Sequence, residues 1–303
     1  MSRRAALVAR VFVAALWCLT GGLTASPALA QAASQAPAPV LAPVPVPAAA
    51  PTTAPATKFT PLLDAQFEEF LLKGSQGKTR AAGKGITGSL RMTMTYEGLT
   101  HDAHIQLIDE SKREFKSQQG TEFNFRDYWG FNIAGYKIDR LLGLNFVPVS
   151  VERRYRSNLG AFTWWLDDVM MDEGDRLKKK ISPPAEAFER WNQEMQLLRL
   201  FDQLIANVDR NLGNLMITKD WNIWAIDHTR AFRTNPTLKT PGNIARCDRQ
   251  VFARLKQLDK PTLSKAVGRN LQSFEIDAIL KRRDVIVAMI EQRGESGLFD
   301  RLR

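Results

Sequence analysis

Cysteine and histidine are scarce in this chain, which has two cysteines, Cys18 and Cys247, and three histidines among 303 residues. That scarcity excludes a disulfide framework and a zinc-binding finger or ribbon. Cys247 reads as a small buried apolar residue rather than a nucleophile. His101 and His104 lie an odd number of positions apart on an expected strand and so face opposite ways, while His228 adjoins Asp227. A G-x-S-x-G elbow is missing, which argues against a serine hydrolase. Internal repeats and heptad arrays are missing too, as is any apolar run long enough to favour a retained membrane span.

The basic excess is modest, with 42 Lys plus Arg against 32 Asp plus Glu. Part of it belongs to Arg3, Arg4 and Arg10, which precede the apolar stretch Val11 to Leu19 and the small-x-small run Ala28-Leu29-Ala30. This is the pattern of a secretory signal peptide over residues 1–30, with cleavage expected after Ala30. Localisation is then periplasmic or secreted, and membrane association is expected only if the segment stays uncleaved. Residues 31–57 are Ala, Pro, Val, Thr, Ser and Gln without a charge, a composition that cannot bury a core and is expected to form a disordered linker. Folding is expected to begin near Lys58. The remaining basic residues are dispersed and carry no aromatic-basic motif, so nucleic acid is not an expected partner.

The informative segment lies in the middle of the chain. Asn207-Val208-Asp209-Arg210-Asn211-Leu212-Gly213-Asn214 runs into Leu215-Met216-Ile217, and Trp224-Ala225-Ile226-Asp227-His228-Thr229-Arg230-Ala231-Phe232 lies just beyond. Apolar residues alternate on either side of Lys219-Asp220, predicting a short hairpin with the two acidic residues, Asp209 and Asp227, at one end. Phosphoryl transfer needs an oriented nucleophile and a neutralised polyphosphate. Carboxylate and amide oxygens suit a hard divalent cation. Asp209 is the candidate catalytic base, and Asn214 and Asp227 are the candidate metal ligands. The plainer alternative is that these Asp and Asn residues serve turns and helix caps.

The D-R-x-x-x-N segment followed by I-D-H-x-R-A-F resembles the atypical protein-kinase-like superfamily, which includes phosphoinositide kinases, HipA-like bacterial kinases, Fam20-type secretory kinases and CotH-like spore-coat kinases. The resemblance spans roughly residues 80 to 290 and is sharpest from Phe201 to Phe232. It implies an α+β, two-lobed fold, with a small β-rich N-lobe over residues 58–168 and a mainly helical C-lobe over 169–303. It also implies ATP and Mg or Mn as cofactors, with Asp209 as the catalytic Asp and Asn214 and Asp227 on the metal. His228 and Thr229 stand where D-F-G kinases have Phe and Gly.

Gly83-Lys84-Gly85-Ile86-Thr87-Gly88 is a G-x-G-x-x-G followed by the alternating strand Leu90, Met92, Met94, Tyr96. A dinucleotide site would need a helix there. A loop whose backbone amides cover polyphosphate fits instead, with Gly83, Gly85 and Gly88 as cofactor-binding candidates, against the alternative of a flexible surface turn. The resemblance implies a nucleotide-binding lysine paired with a helix glutamate. Lys116 in Arg113-Glu114-Phe115-Lys116 is the candidate, while alignment on the hairpin places Gln106 at that position. The helix expected from Asp127 to Leu142 carries Asn132 where the glutamate belongs, so an Asn132–Gln106 amide pair is a further alternative.

Val147 to Val151 and Ala161 to Trp165 predict a second hairpin. Phe188, Trp191, Met195, Leu198, Phe201 and Ile205 mark a helix leading to Asp209. Apolar periodicity beyond Val251 predicts a helical C-terminal part. Two functions stay open. One is an exported ATP-dependent kinase acting on a protein or small-molecule hydroxyl, and the other is a pseudokinase or nucleotide-binding interaction module. Retention of Asp209, Asn214 and Asp227 favours the first, and the scarcity of ATP outside the cytoplasm favours the second.

Overall fold

The computed structural model describes residues 61–82, 89–117, 120–207 and 210–302. The expected signal peptide and linker, the glycine loop and Asp209 lie outside the described residues. Among the described residues no helix is long and apolar enough to cross a membrane.

Helix α1 (Pro61–Lys73) opens the fold. Its Phe67 ring stacks on Trp164 with centroids 4.1 Å apart, and Phe70 meets the same indole edge-on. Three strands come next: β1 (Ser75–Ala81), β2 (Leu90–Tyr96) and β3 (Leu99–Gln106). Glu97 and Gly98 both adopt positive φ, at 47° and 81°, as a two-residue hairpin turn matched to strand twist requires. The sheet continues through β6 (Ser150–Tyr155) and β7 (Asn158–Trp164) in the order β1-β2-β3-β7-β6, with antiparallel neighbours. Met92, Met94, Ala103, Ile105 and Phe162 are buried on one face of this sheet.

Two further strands, β4 (Asp109–Ser117) and β5 (Gly120–Tyr128), form a separate hairpin between β3 and the next helix. This corrects the expected helix start. Asp127 is the penultimate residue of β5, and α2 runs from Gly130 to Leu142. Stacking of Phe115 on Phe125, centroids 4.3 Å apart, fixes the pairing of two strands whose charges alone could suit a helix. Helix α2 is buried along almost its whole length and ends at Gly143, whose φ of 68° lies in the left-handed region. The carboxylate of Asp139 then accepts the backbone N–H groups of Asn145 and Phe146, at 3.1 and 3.0 Å, and sets the turn into the next strand.

The second half begins with β8 (Val169–Asp172), α3 (Glu173–Lys178) and α4 (Ala185–Leu204). Leu197, Leu198, Leu200, Phe201 and Leu204 of α4 are buried, each contributing about 1.5–3 kcal/mol of transfer free energy. Strands β9 (Leu215–Thr218) and β10 (Ile223–Ala225) form the hairpin expected around Lys219-Asp220, and β8 joins its edge. Helices α5 (Arg249–Gln257), α6 (Lys260–Val267) and α7 (Ser273–Arg293) complete this mainly helical part. The fully buried Arg282 of α7 donates to the carbonyls of Leu204, Arg233 and Asn235 at 2.7–2.9 Å, tying the end of α4 to the segment beyond Phe232.

Candidate active site

Helix α4 delivers the chain to the motif, and its Asp202 organises the segment beyond the helix end. Asn207 donates its backbone N–H to the Asp202 carbonyl and its side-chain amide to the Asp202 carboxylate. Arg210 grips the same carboxylate with two guanidinium nitrogens, each at 2.7 Å. The residues flanking Val208-Asp209 on both sides are thereby fixed to one buried carboxylate. Arg210 also reaches the carbonyls of Asn214 and Ile226, at 3.4 and 3.2 Å, and Nε2 of His228 at 3.1 Å. One guanidinium thus holds the end of α4, both ends of the β9–β10 hairpin and the residue after Asp227.

The hairpin brings two of the sequence-predicted residues together. The backbone N–H of Ile226 donates to the carbonyl of Asn214 at 3.0 Å, closing the base of the hairpin. The Asn214 amide then donates to Oδ2 of Asp227 at 3.3 Å, and the Thr229 hydroxyl donates to Oδ1 at 3.0 Å. Asp227 has a φ of 55°, a conformation that Asp and Asn tolerate better than most side chains. A half-turn of the Asn214 amide exchanges its nitrogen and oxygen, leaving two oxygen donors side by side. A carboxylate and an amide in that arrangement fit a hard cation that completes its shell with water and phosphate oxygens.

His228 faces inward and is almost fully buried. Arginine can only donate, so Nε2 of His228 accepts from Arg210 and the neutral ring carries its proton on Nδ1. Burial, reinforced by the Arg210 charge, holds its pKa well below the usual histidine range. A Cβ on Gly135 of α2 would stand 3.3 Å from the His228 ring, a tight contact that a glycine relieves where the helix passes the ring. The His228 backbone N–H donates to Oδ1 of Asn132 at 2.8 Å. Asn132, expected to stand in for a glutamate, has its amide oxygen committed to the loop that carries Asp227.

Two further groups lie near Asp227. His104 on β3 is held below the ordinary histidine range by burial, with the Asp227 charge pulling the other way. His101 on the opposite face stacks on Trp164 at 3.7 Å, so the expected opposition of the two histidines holds. Asp127 at the end of β5 is buried. Desolvation raises its pKa, opposed by the Thr229 hydroxyl and reinforced by the Asp227 charge.

The remaining sequence-predicted residues stand apart or outside the description. Gly83, Gly85 and Gly88 lie outside the described residues. The strands flanking them pair up to their ends, Ala81 with Leu90, and the Ala82 N–H donates to the Ser89 carbonyl at 3.0 Å. Lys116 sits near the closed end of the β4–β5 hairpin, largely exposed and 3.4 Å from Glu114. Gln106 is buried on β3 opposite Ala161. Among the described residues no group of three or more His, Cys, Asp or Glu side chains is arranged to hold a metal ion.

No family model and no curated protein matches the chain. Among solved structures, the Golgi casein kinase aligns over 78% of this chain and 77% of its own, with a TM-score of 0.52 and 14% identity. The chain has a kinase-like fold. A second match is the Helicobacter pylori proinflammatory kinase CtkA, over 71% of this chain and 92% of that one, with a TM-score of 0.38 and 10% identity. In the kinase-like fold seen here, the antiparallel N-terminal sheet and α2 form the smaller part, and Asn214 and Asp227 sit at the open end of the β9–β10 hairpin. The roles of Arg210, Thr229, His104 and Asp127 escaped sequence reasoning. The one available signal was the arginine directly after Asp209.

Proposed function

We propose that this chain is an exported kinase-like phosphotransferase that binds ATP with magnesium or manganese and transfers a phosphoryl group to a protein or small-molecule hydroxyl. The observation that carries the reading is the meeting of Asn214 and Asp227 at 3.3 Å, with Asn207 and Arg210, the described neighbours of Val208-Asp209 in sequence, both bound to Asp202. Asp209 orients the acceptor hydroxyl and takes its proton. Asn214 and Asp227 hold the divalent cation, which when bound neutralises polyphosphate charge. The backbone amides at Gly83, Gly85 and Gly88 cover the phosphates from the β1–β2 turn. The acceptor approaches along a groove of about 950 Å³ lined by Arg113, Phe123, Arg126, Phe232, Arg233 and Phe274, which opens beside the segment after Asp227. Export is supported by the basic, apolar and small-x-small order of residues 1–30.

A second reading, a nucleotide-binding module without transfer, has one specific observation in its favour. Asn132, at the position expected for the helix glutamate, is bound to backbone, and the candidate nucleotide lysine Lys116 is exposed on a hairpin.

The deciding experiment is calorimetric titration of the full chain with ATP and magnesium, beside an Asp227→Asn variant. Metal-dependent binding that the variant loses supports the nucleotide site. A folded wild type that binds with neither magnesium nor manganese overturns it. Turnover abolished by Asp209→Ala with binding intact separates the transferase from the module.

A further inference from the structure

We propose that Asp127, the penultimate residue of β5, is a third protein ligand to the divalent cation. This rests on the nucleotide-site reading above. Asp127 is only 6% exposed, and its Oδ1 has no hydrogen-bond partner among the described residues. Buried carboxylate oxygens are nearly always satisfied, and one left bare points to a missing donor or cation.

The surroundings say which. The neighbouring Tyr128 N–H donates to the Thr229 carbonyl at 2.9 Å, so the end of β5 is tied to the loop that carries Asp227. The Thr229 hydroxyl donates to Oδ1 of Asp227 at 3.0 Å and also acts on the Asp127 carboxylate as a hydrogen-bonding neighbour, yet Oδ1 of Asp127 is left without a partner. Asp227 and Glu110 add negative charge around Asp127, and Arg230 offers the opposing positive charge. Two carboxylates that share the Thr229 hydroxyl as a neighbour, one of them with a bare oxygen, form an oxygen-only set suited to a hard divalent cation. Asn132 spends its own oxygen on the His228 N–H, which leaves Asp127 as the carboxylate on the α2 side of the site.

The competing account is a neutral, protonated Asp127 with a purely structural role. Asparagine has nearly the shape of a protonated aspartic acid, so Asp127→Asn separates the two accounts. The measurement is titration of the full chain with manganese(II) and adenylyl imidodiphosphate, reading free manganese by electron paramagnetic resonance. Wild type, Asp127→Asn and Asp227→Asn are compared, with thermal midpoints as the check on folding. The expected result is a tenfold or greater loss of manganese affinity in Asp127→Asn at an unchanged or raised midpoint. Affinity equal to wild type in Asp127→Asn, with loss in Asp227→Asn, overturns the assignment and leaves the nucleotide site standing. A folded wild type that holds no manganese with the nucleotide removes both readings. Asp127→Cys guards against a folding defect in the asparagine variant. As a ligand, its thiolate exchanges manganese for cadmium preference relative to wild type, and no such exchange counts against direct coordination.

Discussion

The amide oxygen of Asn132 accepts the backbone N–H of His228 at 2.8 Å, joining α2 to the residue after Asp227 across 96 positions of sequence. Both residues are buried, so truncation at position 132 leaves a backbone donor without water or partner. Asn132→Ala is therefore expected to cost about 1–3 kcal/mol of unfolding free energy, read by urea denaturation. Because the same bond positions Asp227, metal-dependent nucleotide affinity should fall in the variant as well. Unchanged affinity would mean that the loop is positioned without this bond, through Arg210 and the Tyr128–Thr229 backbone contact.

Arg210 ties together several parts of the motif. It joins Asp202 through two 2.7 Å bonds and reaches the Asn214 and Ile226 carbonyls and the His228 ring. Removing one partner of a buried ion pair strands the other, at a cost of about 3–5 kcal/mol. Arg210→Met should show a loss of that size in chemical denaturation, and Arg210→Lys should recover only part of it because an ammonium cannot reproduce the two-pronged contact. In the double variant Arg210→Met with Asp202→Leu the loss should shrink, since neither charge is then left alone.

These contacts mark the boundary of what the sequence discloses. The hairpins β2–β3 and β9–β10 are readable because Leu90, Met92 and Met94, or Leu215 and Ile217, alternate in two-residue steps. Helix α4 is readable from its apolar stripe. Strand β1 is not, because Ser75–Ala81 is exposed at every position and is held by its backbone ladder to β2. The β4–β5 hairpin is hidden by the charges of Asp109–Ser117, and the Phe115–Phe125 stack that decides it becomes visible only after folding. The site divides in the same way. Asn214 and Asp227 announce themselves by chemistry and spacing, whereas Asn132, Asp127 and His104 reach Asp227 or its loop only through tertiary packing.

Asp227 offers a separation of function from stability. At a φ of 55°, the residue occupies a region where a side chain other than Asn, Asp or Gly costs about 1–2 kcal/mol. Asp227→Asn keeps the favoured backbone and an acceptor for Thr229, so its unfolding free energy should stay within about 0.5 kcal/mol of wild type while metal-dependent binding is lost. Asp227→Ala should lose the same binding and about 1–2 kcal/mol of stability besides. Equal stabilities for the two variants would show that the backbone at this position is unstrained.

The two histidines near Asp227 set an expectation for pH. Burial, with the Arg210 charge adding to it, depresses the folded-state pKa of His228 from 6.5, and burial also depresses that of His104. A base with a depressed folded value binds fewer protons folded than unfolded, so its contribution is complete above the unfolded value of 6.5 and is lost as pH falls below it. The slope approaches about 1.4 kcal/mol per pH unit for each histidine that must charge. Asp102, whose pKa is lowered from 3.8 by its Thr93, Arg91 and Arg80 partners against opposing desolvation, destabilises only at lower pH, as it falls through that carboxylate range. Urea denaturation between about pH 7.5 and 5 should accordingly show a decline that begins near neutrality. His228→Gln keeps a side-chain acceptor for Arg210 and cannot charge. In that variant the decline should flatten to the part owed to His104, and a curve parallel to wild type would assign the pH sensitivity to His104 alone.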